Sequence, residues 1–200
     1  MRKIWNMPEK KMPWFNQNAY EKIEYDDNEY PLPPMGCGIC AAAAALYWLF
    51  GNIIEPKELR NLLQWRVSQG QGEIFLDDTG LLYKPFLDLL SKSFPVEWEQ
   101  VPTYESAREA IHDGQVLLTG NGGPVFLTRD GKLHSHGGHV VCMYLHGEDE
   151  QGDLYLAMDP QICGGADVVY REEDFKRWME SVEKRIGQDA GSCYALKLKC

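Results

Sequence analysis

Gly36-Cys37-Gly38-Ile39-Cys40-Ala41-Ala42-Ala43-Ala44-Ala45-Leu46-Tyr47-Trp48-Leu49-Phe50-Gly51 is the stretch on which the reading of this chain turns. A turn of small residues presents a thiol, and an unbroken helix-forming run starts directly behind it. Nothing polar in Ala41 to Ala45 competes for the backbone, and Gly51 supplies a stop. The start of a helix is the positive end of its macrodipole, where a thiolate is favoured. A buried structural cysteine has no need of such a mount, whereas a nucleophile does.

Upstream, residues 1–35 are rich in Trp, Tyr, Asn and Pro and read as an extended arm closing in Pro31-Leu32-Pro33-Pro34. Downstream, Pro56 opens a second helix through Leu59, Leu62, Leu63 and Val67. Asp77-Asp78-Thr79 can cap a third helix carrying Leu81, Leu82, Phe86, Leu89 and Leu90. Val96 to Gln100 reads as a half-exposed strand, and Thr103 caps a fourth helix ending at Gly114. The second half then alternates: Gln115 to Thr119, Val125 to Thr128, His139 to Leu145, Leu154 to Met158, Val168 to Tyr170 and Tyr194 to Leu198 read as strands. One amphipathic helix interrupts them, Glu172 to Lys184, with Phe175, Trp178, Met179 and Val182 on one face. Helices first and antiparallel strands later predict an α+β fold, with N-terminal helices packed on a C-terminal antiparallel sheet.

Residues 1–200, 44% hydrophobic and 25% charged, suit one globular domain with a sizeable core. A net charge of −10 argues against nucleic acid or an anionic membrane surface as partner. No apolar run is long enough to span a bilayer. Met1 to Pro8 lacks the apolar middle of a signal peptide. The six cysteines (Cys37, Cys40, Cys142, Cys163, Cys193, Cys200) are too sparse for a disulfide framework, so reduced thiols and a cytoplasmic location are expected.

A thiol becomes an acyl-transfer nucleophile when an imidazole takes its proton and a third group orients the imidazole. His139 opens the apolar strand Val140-Val141-Cys142-Met143-Tyr144, and Asp159-Pro160 ends the strand Leu154 to Met158. If these strands form a hairpin through Gly147 to Gly152, His139 and Asp159 stand at the same end of neighbouring strands. The carboxylate then receives one ring nitrogen while the other faces Cys37. Such chemistry needs neither metal nor cofactor.

The chain resembles the bacterial papain-like cysteine peptidases of the bacteriocin-leader-processing type, family thirty-nine of the cysteine peptidases, and their free-standing relatives in particular. The matching pieces are Trp14-Phe15-Asn16-Gln17, Gly36-Cys37-Gly38, Gly138-His139-Val140-Val141 and Met158-Asp159-Pro160. The resemblance implies a papain-like fold acting on a peptide or protein substrate, with Cys37 as nucleophile, His139 as general base, Asp159 as orienting acid and Gln17 as oxyanion donor. Where the family has Cys-Gly-Pro and then a small residue, Ile39 and Cys40 stand here, and Glu24 to Glu29 form an acidic loop near the implied entrance.

Other readings use the same residues. Cys37-Gly38-Ile39-Cys40 is a C-x-x-C motif before a helix, as in thioredoxin-like oxidoreductases, and Gly123-Pro124-Val125 resembles that fold's proline-bearing strand. The three prolines between Tyr30 and Met35 oppose it, because no buried central strand accepts them. His134, His136 and His139 alternate like zinc ligands, but no well-spaced acidic ligand follows. A peptide-binding module that has lost its chemistry, or another acyl transfer such as transamidation or deamidation, would keep the same scaffold.

Overall fold

The computed structural model describes residues 13–20, 36–72, 74–76, 80–121, 126–127, 133–134, 139–160, 168–184 and 192–199. Helix α1 (Cys37–Phe50) begins on Gly36 and ends on Gly51, which adopts the left-handed conformation (φ 78°) and donates its N–H to the Tyr47 carbonyl. Every residue from Cys37 to Leu46 is buried, as befits a helix that is apolar all round. Helix α2 (Pro56–Ser68) opens on Pro56, with Glu55 and Glu58 forming a reciprocal capping box. Helix α3 is Tyr83–Ser93. Its expected start is corrected: Leu81 belongs to a two-stranded ribbon, β1 (Phe75–Leu76) with β2 (Gly80–Leu81), and Leu82 is the uncapped residue before the helix. Apolar spacing alone does not separate a short strand from the helix that follows it. Asp77 to Thr79 lie outside the described residues.

Helix α4 (Tyr104–His112) is capped by the Thr103 side chain accepting from the Ser106 N–H. Strand β3 (Val96–Gln100) and strands β4 (Val116–Asn121), β7 (His139–Asp149), β8 (Gly152–Met158), β9 (Val168–Arg171) and β10 (Ser192–Leu198) form one six-stranded sheet, ordered β3-β10-β4-β7-β8-β9. All five pairings are antiparallel, so this sheet lacks the parallel strands of a βαβ unit that a thioredoxin-like reading requires. A separate ribbon pairs β5 (Phe126–Leu127) with β6 (Leu133–His134). Helix α5 (Glu172–Glu183) buries Phe175, Trp178, Met179 and Val182, the face read from the sequence.

The expected alternation of strand residues gives way to a sheet covered on both faces. On one side Val116, Leu118, Val140, Cys142, Tyr144 and Met158 pack with α1, α2 and α3. On the other, Leu117, Val141, Met143, Tyr155 and Ala157 pack with α4 and α5. Both parities of β7 are therefore apolar, and His139 through Tyr144 are all buried. Antiparallel sheets commonly leave one face wet; this one is the middle layer of three. Among the described residues no helix is long and apolar enough to cross a membrane.

Candidate active site

Helix α1 lies against β7 and β4, which sets its first turn beside the end of the sheet where β7 begins. Cys37 is the first helical residue and is 7% exposed. The Cys40 N–H is the first to reach back, to the Gly36 carbonyl at 3.0 Å, so the N–H groups before it are free of helical partners at the Cys37 turn. A Cβ at Gly38 would stand 2.5 Å from Leu81 Cδ1, so that methyl would have to swing aside to admit a side chain.

The β7–β8 register joins Cys142 to Met158 and Met143 to Ala157. Continued by one step it sets Asp159 opposite Val141, a single diagonal from His139. His139 Nε2 lies 2.7 Å from Asp159 Oδ1, and both side chains are fully buried. The Cys37 thiol stands close enough to the imidazole to act on its proton affinity. Burial alone would lower the pKa of His139; the hydrogen bond to Asp159 and the neighbouring Cys37 outweigh it and push it up to about 9. The hairpin that creates this register is tighter than the sequence suggested. Its strands run on to Asp149 and Gly152, the Asp149 carboxylate accepts the Gln151 N–H at 2.8 Å, and Gly152 supplies φ 110°.

Gln17 opens a 3₁₀ turn (Gln17–Tyr20) and is buried. Its N–H donates to the Pro160 carbonyl at 3.0 Å, and the Trp14 indole N–H donates to the Asp159 carbonyl at 3.1 Å. Between them Phe15 enters the same core as α1. The arm thus folds back onto the segment that carries Asp159. The indole hydrogen bond had no signature in the sequence.

The other described thiols are sequestered. Burial pushes the Cys40 and Cys142 thiols well up, Cys40 further because of the neighbouring Cys37. Burial raises Cys193 to about 12 although a hydrogen bond with Thr119 opposes it. His136, Cys163, Cys200, the acidic loop and Gly137-Gly138 lie outside the described residues, as does the side chain of His134. Among the described residues no three His, Cys, Asp or Glu side chains are grouped to hold a metal ion. A second polar cluster, remote from Cys37, joins Arg108 to Asp153 (3.1 Å) and Glu172 (2.9 Å) and His112 to Asp153 (2.8 Å). These ties bind α4 to β8 and α5.

No protein-family model matches the chain, and no curated protein does. Among solved structures it is similar to the crystal structure of a candidate C39-like peptidase from Bacillus anthracis, with 16% identity over 92% of this chain and 94% of that one and a TM-score of 0.49.

Proposed function

We propose that the chain is a papain-like cysteine peptidase in which Cys37, His139, Asp159 and Gln17 carry the chemistry. The observation that carries this reading is the buried 2.7 Å bond between His139 and Asp159, on an imidazole that neighbours a thiol at a helix N-terminus. Nε2 is engaged by the carboxylate, so Nδ1 is the nitrogen that takes the Cys37 proton. The thiolate attacks the scissile carbonyl carbon, and the carbonyl electrons move onto oxygen. The Gln17 amide and an N–H of the α1 first turn receive that negative charge. Collapse of the intermediate expels the amine, which leaves with the proton held by His139, and a thioester remains on Cys37. Water, deprotonated by the same imidazole, releases the acid and restores the thiol. Asp159 holds the ring orientation and favours the imidazolium without itself taking the proton.

The test is a peptide-library screen of wild type, Cys37→Ala and His139→Ala, with products read by mass. Cleavage by the wild type alone, with water added across the amide, supports the reading. Cleavage by either variant at the wild-type rate overturns it. A transamidase would leave the same dependence on Cys37 but join the acyl group to an added amine.

A further inference from the structure

We propose that Trp14 is a positioning residue of this centre, its indole N–H holding the Asp159 main chain so that the carboxylate stays in register with His139. The inference rests on the roles given above to Cys37, His139 and Asp159. The sheet does not hold Asp159 itself. The last β7–β8 pair is Cys142 with Met158, and the last β8–β9 pair is Ala157 with Val168, so Asp159 and Pro160 lie beyond both ladders. Both residues are buried, and a buried carbonyl needs a donor.

The arm supplies two donors. Trp14 Nε1 reaches the Asp159 carbonyl at 3.1 Å, and the Gln17 N–H reaches the Pro160 carbonyl at 3.0 Å. Pro160 has no N–H with which to tie the turn itself. Phe15, only 5% exposed, anchors the arm between these two struts in the core beneath α1. The arm therefore does two things at once: it carries the Gln17 side chain and it fixes the carbonyl of the residue whose carboxylate grips His139. A phenylalanine at position 14 would keep most of the apolar contact and lose the hydrogen bond, which isolates the positioning role from packing.

The experiment uses the full chain in four forms: wild type, Trp14→Phe, Phe15→Leu and His139→Ala. It follows the His139 ring by NMR titration and the alkylation rate of Cys37 by iodoacetamide. In Trp14→Phe the His139 midpoint is expected to fall from about 9 towards 6.5. Alkylation of Cys37 should slow roughly five- to tenfold, the factor that one hydrogen bond represents. Phe15→Leu, which loosens the apolar anchor and keeps the indole, should lower stability while leaving both readouts near wild type. The proposal is overturned if Trp14→Phe keeps the wild-type midpoint and rate. It is equally overturned if both arm variants shift in proportion to lost stability, or if Trp14→Phe exposes the buried Cys142 and Cys193 to the reagent, since the indole then holds the fold and not the carboxylate. Wild-type alkylation in His139→Ala would instead place the fault in the roles assigned to Cys37 and His139.

Discussion

His139 Nε2 and Asp159 Oδ1 are 2.7 Å apart, and neither side chain reaches solvent. Because the hydrogen bond to Asp159 and the neighbouring Cys37 overcome desolvation, the ring keeps its proton to about 9, against 6.5 in the unfolded chain. A group whose pKa is raised by folding stabilises the fold fully below its unfolded value and loses that contribution as the pH climbs through the folded one. Urea midpoints are therefore expected to decline between pH 6.5 and about 9 in the wild type, and Asp159→Asn should flatten the decline. A wild-type profile that stays level across this window would mean the ring is not held protonated.

The thiols should sort by reactivity. Cys37 faces an imidazole at a helix start, whereas burial holds Cys40, Cys142 and Cys193 in the thiol form. At neutral pH, mass mapping after brief iodoacetamide treatment is expected to find Cys37 modified well before the other three. Equal rates, or Cys40 first, would contradict the assignment of Cys37 as nucleophile.

Gln17→Ala should reduce kcat by about 10²–10³ with KM little changed, the usual effect of removing one oxyanion donor. Its backbone N–H, which ties the arm to Pro160, survives the substitution, so melting behaviour should stay close to wild type. Gln17→Glu should be at least as damaging, since a carboxylate opposes the developing negative charge. A variant with nearly full kcat would remove Gln17 from the mechanism.

Away from the site, Trp178 Nε1 donates to Thr119 Oγ1 at 2.7 Å in the buried layer between the sheet and α5. Trp178→Phe strips Thr119 of that donor and is expected to cost about 1–3 kcal/mol, with the void adding to it. Thr119→Val in the same background should recover part of the loss, because the hydroxyl deprived of its indole donor is then gone. A double-mutant cycle in urea measures that recovery, and strict additivity would deny the coupling.

Local chemistry made part of this architecture legible. Gly36 and Gly51 bound α1, Pro56 opens α2, Thr103 caps α4, and the apolar positions of α5 repeat at helical spacing. The hairpin pattern was enough to expect His139 and Asp159 at one end of adjacent strands, and the register brings them together. What the sequence concealed was long-range. Nothing near Ser192 says that β10 pairs with both β3 and β4. The apolar runs of β7 do not announce a second helical layer, because a strand buried on two faces loses the alternation that would reveal its sides. The arm was read as extended, and the donors from Trp14 and Gln17 that dock it are contacts across more than a hundred residues, which no local pattern encodes.

The sheet order also bears on how the molecule comes to be folded. Strands β3 and β4 are near neighbours in sequence, joined through α4, yet in the sheet β10 separates them and pairs with each. On the ribosome β10 emerges after every other described element. Until residues 192–198 appear, β4 lacks one of its two partners and β3 its only one among the described strands, leaving backbone donors and acceptors open beside Val116, Leu117 and Leu118. Local helices and the β7–β8 hairpin can form early, but closure of the sheet waits for a pairing of high sequence separation, which is slow in elementary terms. Nascent chains stalled before Ser192 thus present an apolar strand edge to chaperones, and the order of synthesis becomes a property of this topology.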